Sequence, residues 1–209
     1  MVRPRARIRF RKQGTLRFVG HRDLVRSLER LFRRAALKLA MSEGFHPKPR
    51  MSFPSALAVG IEGLNEIMEL ELAEPVEAGE LLARIARQRL PGLDFVSVEM
   101  LPPGARKAQV ARLTYEVPLP EDRSPQAARS IASLLASPSC PVWRPRQSRD
   151  LDIRPLVEEL SLRDGVLRMR LVPGPQASAG PRDVLGALGL ADLEHSGAVL
   201  VRTEVEVQP

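Results

Sequence analysis

His21 and the run Ser42-Glu43-Gly44-Phe45-His46-Pro47-Lys48-Pro49-Arg50 hold the side chains with the most chemistry to offer. Two imidazoles can act as general base and general acid while a nearby cation stabilises charge on a phosphorane-like transition state. That is metal-free RNA cleavage. His21 and His46 are its candidates, with Lys48 or Arg50 as the cation. The plainer use of the same residues is anion binding, with His46, Lys48 and Arg50 gripping a phosphate or an anionic cofactor group. Prolines would stiffen the loop and lower the entropy lost on binding. Phe45 fits two uses, a stacking face for a base or a buried anchor. His21 at a helix start has a structural use too, since such a histidine often caps or packs. His195 sits near a turn, in solvent, and three scattered histidines do not make a zinc site.

Arginine supplies the second set. Arg7, Arg9 and Arg11 alternate with Ala6, Ile8 and Phe10, which puts three guanidinium groups on one face of a strand. Arg22, Arg26, Arg30, Arg33 and Arg34 fall opposite an apolar stripe of Leu24, Leu28, Leu31, Phe32, Ala35 and Leu39. Both faces could bind phosphates, and affinity would then fall steeply with salt. Both also have a self-contained reading. Glu69 and Glu71 would face the strand arginines across a ladder, and Glu29 would pair along the helix.

The elements that position these residues follow from periodicity. Residues 6–11 read as a strand and residues 21–39 as a helix. A proline-rich loop, an extended piece at 50–53 and a second loop at 54–63 come next. A strand at 66–72 turns Met68, Leu70 and Leu72 inward, and a helix at 77–90 stops at Pro91-Gly92. A strand at 95–101 buries Val96, Val98 and Met100, and Pro102-Pro103-Gly104 closes the unit. This is the β-α-β-β-α-β order of ferredoxin-like folds. The second half repeats it less clearly. Strands are expected at 110–117, 142–146, 166–172 and 199–207. One helix runs over 124–136, with Ser124 as cap and Pro125 at its first position, and another over 181–188. Residues 148–162 fit no element. The expectation is a tandem ferredoxin-like α+β protein divided at 1–103 and 104–209.

Composition narrows the function. Residues 1–50 hold 15 Lys and Arg against 3 Asp and Glu, whereas the rest holds 17 against 22. The basic character is therefore local, as expected for a polyanion partner. Cys140 is the only cysteine. It can form neither an internal disulfide nor a ligand set for an iron–sulfur cluster or structural zinc, so no metal or cofactor is expected. It reads as apolar filler beside Pro141. No signal-peptide run opens the sequence and no stretch approaches the roughly 20 apolar residues of a membrane span. A cytoplasmic location with no membrane partner is the expectation.

The run Phe18-Val19-Gly20-His21-Arg22-Asp23-Leu24, then Glu29-Arg30, Arg33-Arg34-Ala35, Ser42-Glu43-Gly44-Phe45-His46-Pro47 and Ser52-Phe53, resembles the radical-SAM-associated domain family of unknown function. Asp152-Ile153-Arg154-Pro155 and Gly180-Pro181-Arg182-Asp183-Val184-Leu185 extend the likeness over nearly the whole chain. Its members occur alone or fused behind a radical-SAM enzyme and are encoded near ribonuclease and ribosomal-protein genes. The resemblance thus implies an RNA-binding accessory protein with a radical-SAM partner, which would carry the cluster and the S-adenosylmethionine. The family loop reads Gly-Phe-Asn-Pro-His-Pro. Here His46 stands at the Asn position and Lys48 at the His position, which weakens a catalytic role for either and leaves anion gripping intact. The element order and His21 also resemble the guide-RNA-processing endonucleases of CRISPR systems, at fold level only. A docking module for the enzyme without RNA is the remaining alternative.

Overall fold

Alternation in the first strand sets the layout. In the computed structural model, which describes residues 3–145, 148–174 and 177–208, β1 (Arg5–Lys12) buries Ala6, Ile8 and Phe10 and turns its arginines to the other face. The chain divides into two compact units, residues 1–109 with 207–209, and residues 110–206. Strands are largely antiparallel and the described residues hold four α-helices, a mixed α+β architecture.

The first unit follows β1 with α1 (His21–Arg34), β2 (Met51–Ser52), β3 (Glu62–Glu71), α2 (Ala78–Ala86) and β4 (Leu93–Leu101). Hydrogen bonding orders the strands β4-β1-β3-β2, all antiparallel. Leu24, Leu28, Leu31 and Phe32 of α1 and Leu81 and Ile85 of α2 pack on the sheet face of Ile8, Phe10, Met68 and Leu70. Lys12 lies on this side as well, 1% exposed, its Nζ donating to the carbonyls of Arg17 (3.4 Å) and Val19 (2.8 Å). It thereby fixes the 3-10 turn Gly14–Phe18 that leads into α1.

Three expectations for this unit need correction. α1 ends at Arg34, not at residue 39. Ala36 adopts φ 53°, its N–H donates to Arg33 O, and the Leu37 N–H reaches back to Phe32 O at 3.1 Å. That is the Schellman closure of a helix, with buried Leu37 and Phe32 as its apolar contact. Arg84 of α2 completes it by donating to the carbonyls of Ala35 and Ala36. Second, α2 stops at Ala86, because proline disfavours helix in the residue before it and Leu90 pairs with Leu93 instead. Third, Val96 is 43% exposed. A bulge between Arg9 and Phe10 shifts the register, so Phe95, Val98 and Met100 face the core and Val96 does not.

The second unit runs β5 (Val110–Pro118), α3 (Ser124–Ala136), β6 (Pro141–Arg144), β7 (Arg149–Asp152), β8 (Val157–Arg163), β9 (Val166–Leu171), α4 (Pro181–Ala187) and β10 (Val201–Val207). Its sheet is ordered β10-β5-β9-β8. The strand expected at 142–146 does not join that sheet. Among the described residues β6 pairs only with β7, as a separate hairpin carrying the exposed Trp143, and Arg146 lies outside those residues. β8, inside the stretch that fitted no element, takes the sheet position. It is joined to β9 by the two-residue turn Asp164-Gly165, both at positive φ. Ser124 makes no capping bond. A 3-10 turn, Glu121–Arg123, runs directly into α3 and places Arg123 in the helical region.

Candidate functional site

α1 exposes a long basic face. Its apolar residues recur at three- and four-residue spacing and are buried, which leaves Arg22, Arg26, Arg30, Arg33 and Arg34 exposed on the opposite side. Arg22, Arg26 and Arg30 form a row at i, i+4, i+8, about 6 Å apart along the axis at 1.5 Å per residue. Counter-charge on the helix is limited to Asp23 and Glu29. Arg26 bonds Asp23 at 3.3 Å, but the two side chains are 73% and 67% exposed, so water screens the pair and Arg26 can exchange partners. Arg30 donates to Ser27 Oγ at 3.3 Å.

The loop after α1 is a hairpin with a firm neck. Arg50 N donates to Ala40 O, Ser42 N to Lys48 O, and Lys48 N to Ser42 Oγ, all between 2.8 and 3.0 Å. Gly44 at φ 113° turns the tip. Phe45, His46 and Lys48 are exposed, Phe45 completely. The buried-anchor alternative for Phe45 is therefore excluded, and its ring is left open to solvent. Arg50 belongs to the neck. Its Nε donates to Met41 O at 3.2 Å and its Nη1 lies 3.7 Å from Glu71 Oε2.

His21 is held by an aromatic contact. Its ring packs edge-on against Phe53 at 4.9 Å, and Phe53 in turn packs on Phe10 at 6.4 Å. Among the described residues no hydrogen bond, ion pair or ring contact joins the two histidines.

The strand arginines divide. Register places Arg7 beside Glu69 on β3 and Glu99 on β4. Arg7 donates to Glu69 Oε1 through Nε (3.3 Å) and Nη2 (3.1 Å) and approaches Glu99 at 3.8 Å. Cross-strand pairing thus takes up Arg7. Arg9 is half-buried, and Arg11, opposite Asp94, is exposed. The same alternating row extends back to Arg5 and Arg3, which lie before the strand expected from residue 6. Arg3 is exposed, and Arg5 donates to the carbonyls of Ala105 and Arg106.

Other residues that carry the family likeness hold the fold together. The Asp152 carboxylate accepts from Cys140 N (2.8 Å) and Arg154 N (3.0 Å), and Arg154 donates to Val157 O and Leu135 O. Asp183 accepts from Gly180 N at 2.7 Å at the start of α4 and also binds Arg144. Burial, followed by the nearby Asp152 carboxylate, pushes the Cys140 thiol above its ordinary range, which disfavours the nucleophilic thiolate. Among the described residues no cluster of His, Cys, Asp and Glu is arranged to hold a metal ion. No helix among them is long and apolar enough to cross a membrane.

Comparison with curated proteins finds no match. Among solved structures, the chain is similar to a crystal structure of an unknown protein from Galdieria sulphuraria, at 10% identity and a TM-score of 0.32 with 100% of each chain covered. A family model described as an uncharacterized protein conserved in bacteria (DUF2344) matches residues 5–181. That span takes in α1, the hairpin loop and the structural Asp152 and Arg154 alike, and the chain belongs to this family.

Proposed function

We propose that this protein is an RNA-binding accessory component that works with a radical-SAM enzyme in RNA modification or processing. The observation that carries the reading is the arginine face of α1. It has five exposed guanidinium groups, two acidic residues on the same helix and only a solvated pair between them. The exposed Phe45, His46 and Lys48 of the hairpin add a stacking face and further cations for more selective contacts. Arg22, Arg26, Arg30 and Arg33 take phosphates in this reading. Arg7 drops to a structural role and Arg9 and Arg11 to lesser ones. The radical-SAM partner rests on the family resemblance. The cluster would be the partner's, because one cysteine falls short of the several that a cluster needs.

We read both units as ferredoxin-like. The order β4-β1-β3-β2, with both helices on one face, supports this for the first unit. The order β10-β5-β9-β8, with β6 and β7 as an inserted hairpin, supports it for the second. The likeness to CRISPR guide-RNA endonucleases adds no function.

The test is RNA binding by the purified chain across a salt series, scored at once for retention and for cleavage. Affinity should fall steeply with salt. Replacing Arg26 and Arg30 by Ala should flatten the log–log slope by about 0.7 for each single-strand phosphate that is no longer neutralised. No binding at low salt ends the reading and leaves α1 as a docking face for an acidic protein surface. Cleavage that disappears in a His21→Ala/His46→Ala variant, with binding retained, would instead establish the endoribonuclease.

A further inference from the structure

Beside the hairpin neck the first unit contains a cleft of about 390 Å³, lined by Arg3, Arg5, Glu43, Arg50, Glu71 and residues 101–105. A smaller cavity of about 150 Å³ shares Arg5, Arg50 and Glu71 with it and adds Glu69, Ser52 and Lys107. The larger volume falls within the ~300–1,000 Å³ of small-ligand sites. The walls carry both signs of charge, and their pairing is incomplete. Arg50 and Glu71 are 3.7 Å apart and Arg5 and Glu69 3.9 Å, both beyond hydrogen-bond distance. Arg3 is exposed at the rim.

Glu69 is the unusual member. Its side chain is 1% exposed. Oε1 accepts from Arg7 and from Ala108 N, whereas Oε2 is buried with no hydrogen-bond partner. A buried carboxylate oxygen without a donor is costly, and Glu69 lines the smaller cavity, so a donor placed there would satisfy it. A ligand matched to these walls has an anionic group for Arg3 and Arg50 and N–H donors for Glu69 and Glu71.

We propose that this cleft and the smaller cavity beside it together form a pocket for one unpaired nucleotide, its phosphate on Arg3 and Arg50 and the donor edge of its base on the Glu71 and Glu69 carboxylates. This deepens the RNA-binding reading and rests on it. Carboxylates accept from exocyclic amino groups, as Glu and Asp do from cytosine N4. Adenine, cytosine and guanine carry such a group and uracil does not. The pocket therefore discriminates against uridine. An unpaired base suits it, because in an A-form duplex the amino groups of adenine and cytosine lie in a deep, narrow major groove closed to side chains.

The experiment is calorimetric titration of the full chain with each of the four nucleoside 5′-monophosphates and with inorganic phosphate, alongside filter binding of an RNA oligonucleotide as single strand and as duplex. Adenosine, cytidine and guanosine monophosphates should bind at least about fivefold more tightly than uridine monophosphate, and all four more tightly than phosphate. Arg3→Ala, at an exposed position, should weaken all four by a similar factor, and Glu71→Ala, which removes one of the two acceptors, should reduce the discrimination against uridine. Arg26→Ala/Arg30→Ala, outside the cleft, should weaken RNA but leave monophosphate binding unchanged. RNA bound with a steep salt slope, but monophosphates unbound or bound without regard to base, overturns the pocket and spares the RNA reading. Selective monophosphate binding with no RNA binding keeps the pocket's chemistry and overturns RNA as the source of the nucleotide.

Discussion

Ala36 ends α1 in a conformation that alanine resists. At φ 53° it sits in the left-handed region, which costs a non-glycine residue ~1–2 kcal/mol. The methyl group is exposed and has no core packing to offset that cost. Ala36→Gly should therefore raise the unfolding free energy by ~0.5–1 kcal/mol, the relieved strain less the extra freedom of glycine when unfolded. A urea denaturation series measures it, and a lower midpoint would refute the strain argument. The same residue shows why the helix end is not legible in the sequence. Ala35 and Leu39 continue the apolar spacing past Arg34, and nothing in Ala-Ala announces a left-handed turn. Glu69 is equally hidden. Alternation places it on the arginine face, but burial of that face is a tertiary property that no local pattern reports.

Among elements, α1 and α2 are tied by one side chain. Arg84 on α2 donates to Ala35 O from Nε (3.1 Å) and Nη2 (2.9 Å) and also reaches Ala36 O, so a cation satisfies the open carbonyl end of α1. Arg84→Met keeps the apolar stem and removes the fork, and should cost about 1–2 kcal/mol in urea unfolding. Lysine should recover only part of this, since a point charge cannot make the forked contact. Periodic elements are readable from sequence. β1, α1 and β3 alternate or repeat cleanly because each turns an apolar row to the core, although β3 is buried on both faces from Glu66 to Leu70. β8 escapes such a reading because Val157-Glu158-Glu159-Leu160 breaks the period-two pattern at the register shift between Val157 and Glu159. Val96 is misplaced for the same reason, as a bulge reverses which face every residue beyond it points to.

Across the whole molecule, charge is segregated by use. The first unit leaves its α1 arginines in solvent, whereas the second pairs several of its arginines with carboxylates. Arg112 and Arg170 share Glu158 and Glu206 at 2.8–3.7 Å. Carboxylates of the second unit also carry its response to acid. The backbone N–H of Cys140 holds Asp152 below the usual carboxylate range, and Arg123 does the same for Asp192. A folded pKa below the unfolded one contributes stability that is complete above the unfolded value and is lost as pH falls through the folded one. Unfolding midpoints should therefore decline below about pH 4, and Asp192→Asn should flatten that decline while lowering the midpoint at neutral pH. An unchanged acid limb in the variant would assign it to other groups. The hairpin of β6 and β7 has an optical consequence. Trp143 is the only tryptophan of the chain and is already 58% exposed in the folded state. Its emission starts close to that of indole in water, so the colour of its fluorescence will change little on denaturation and will report instead on whatever comes to cover the hairpin.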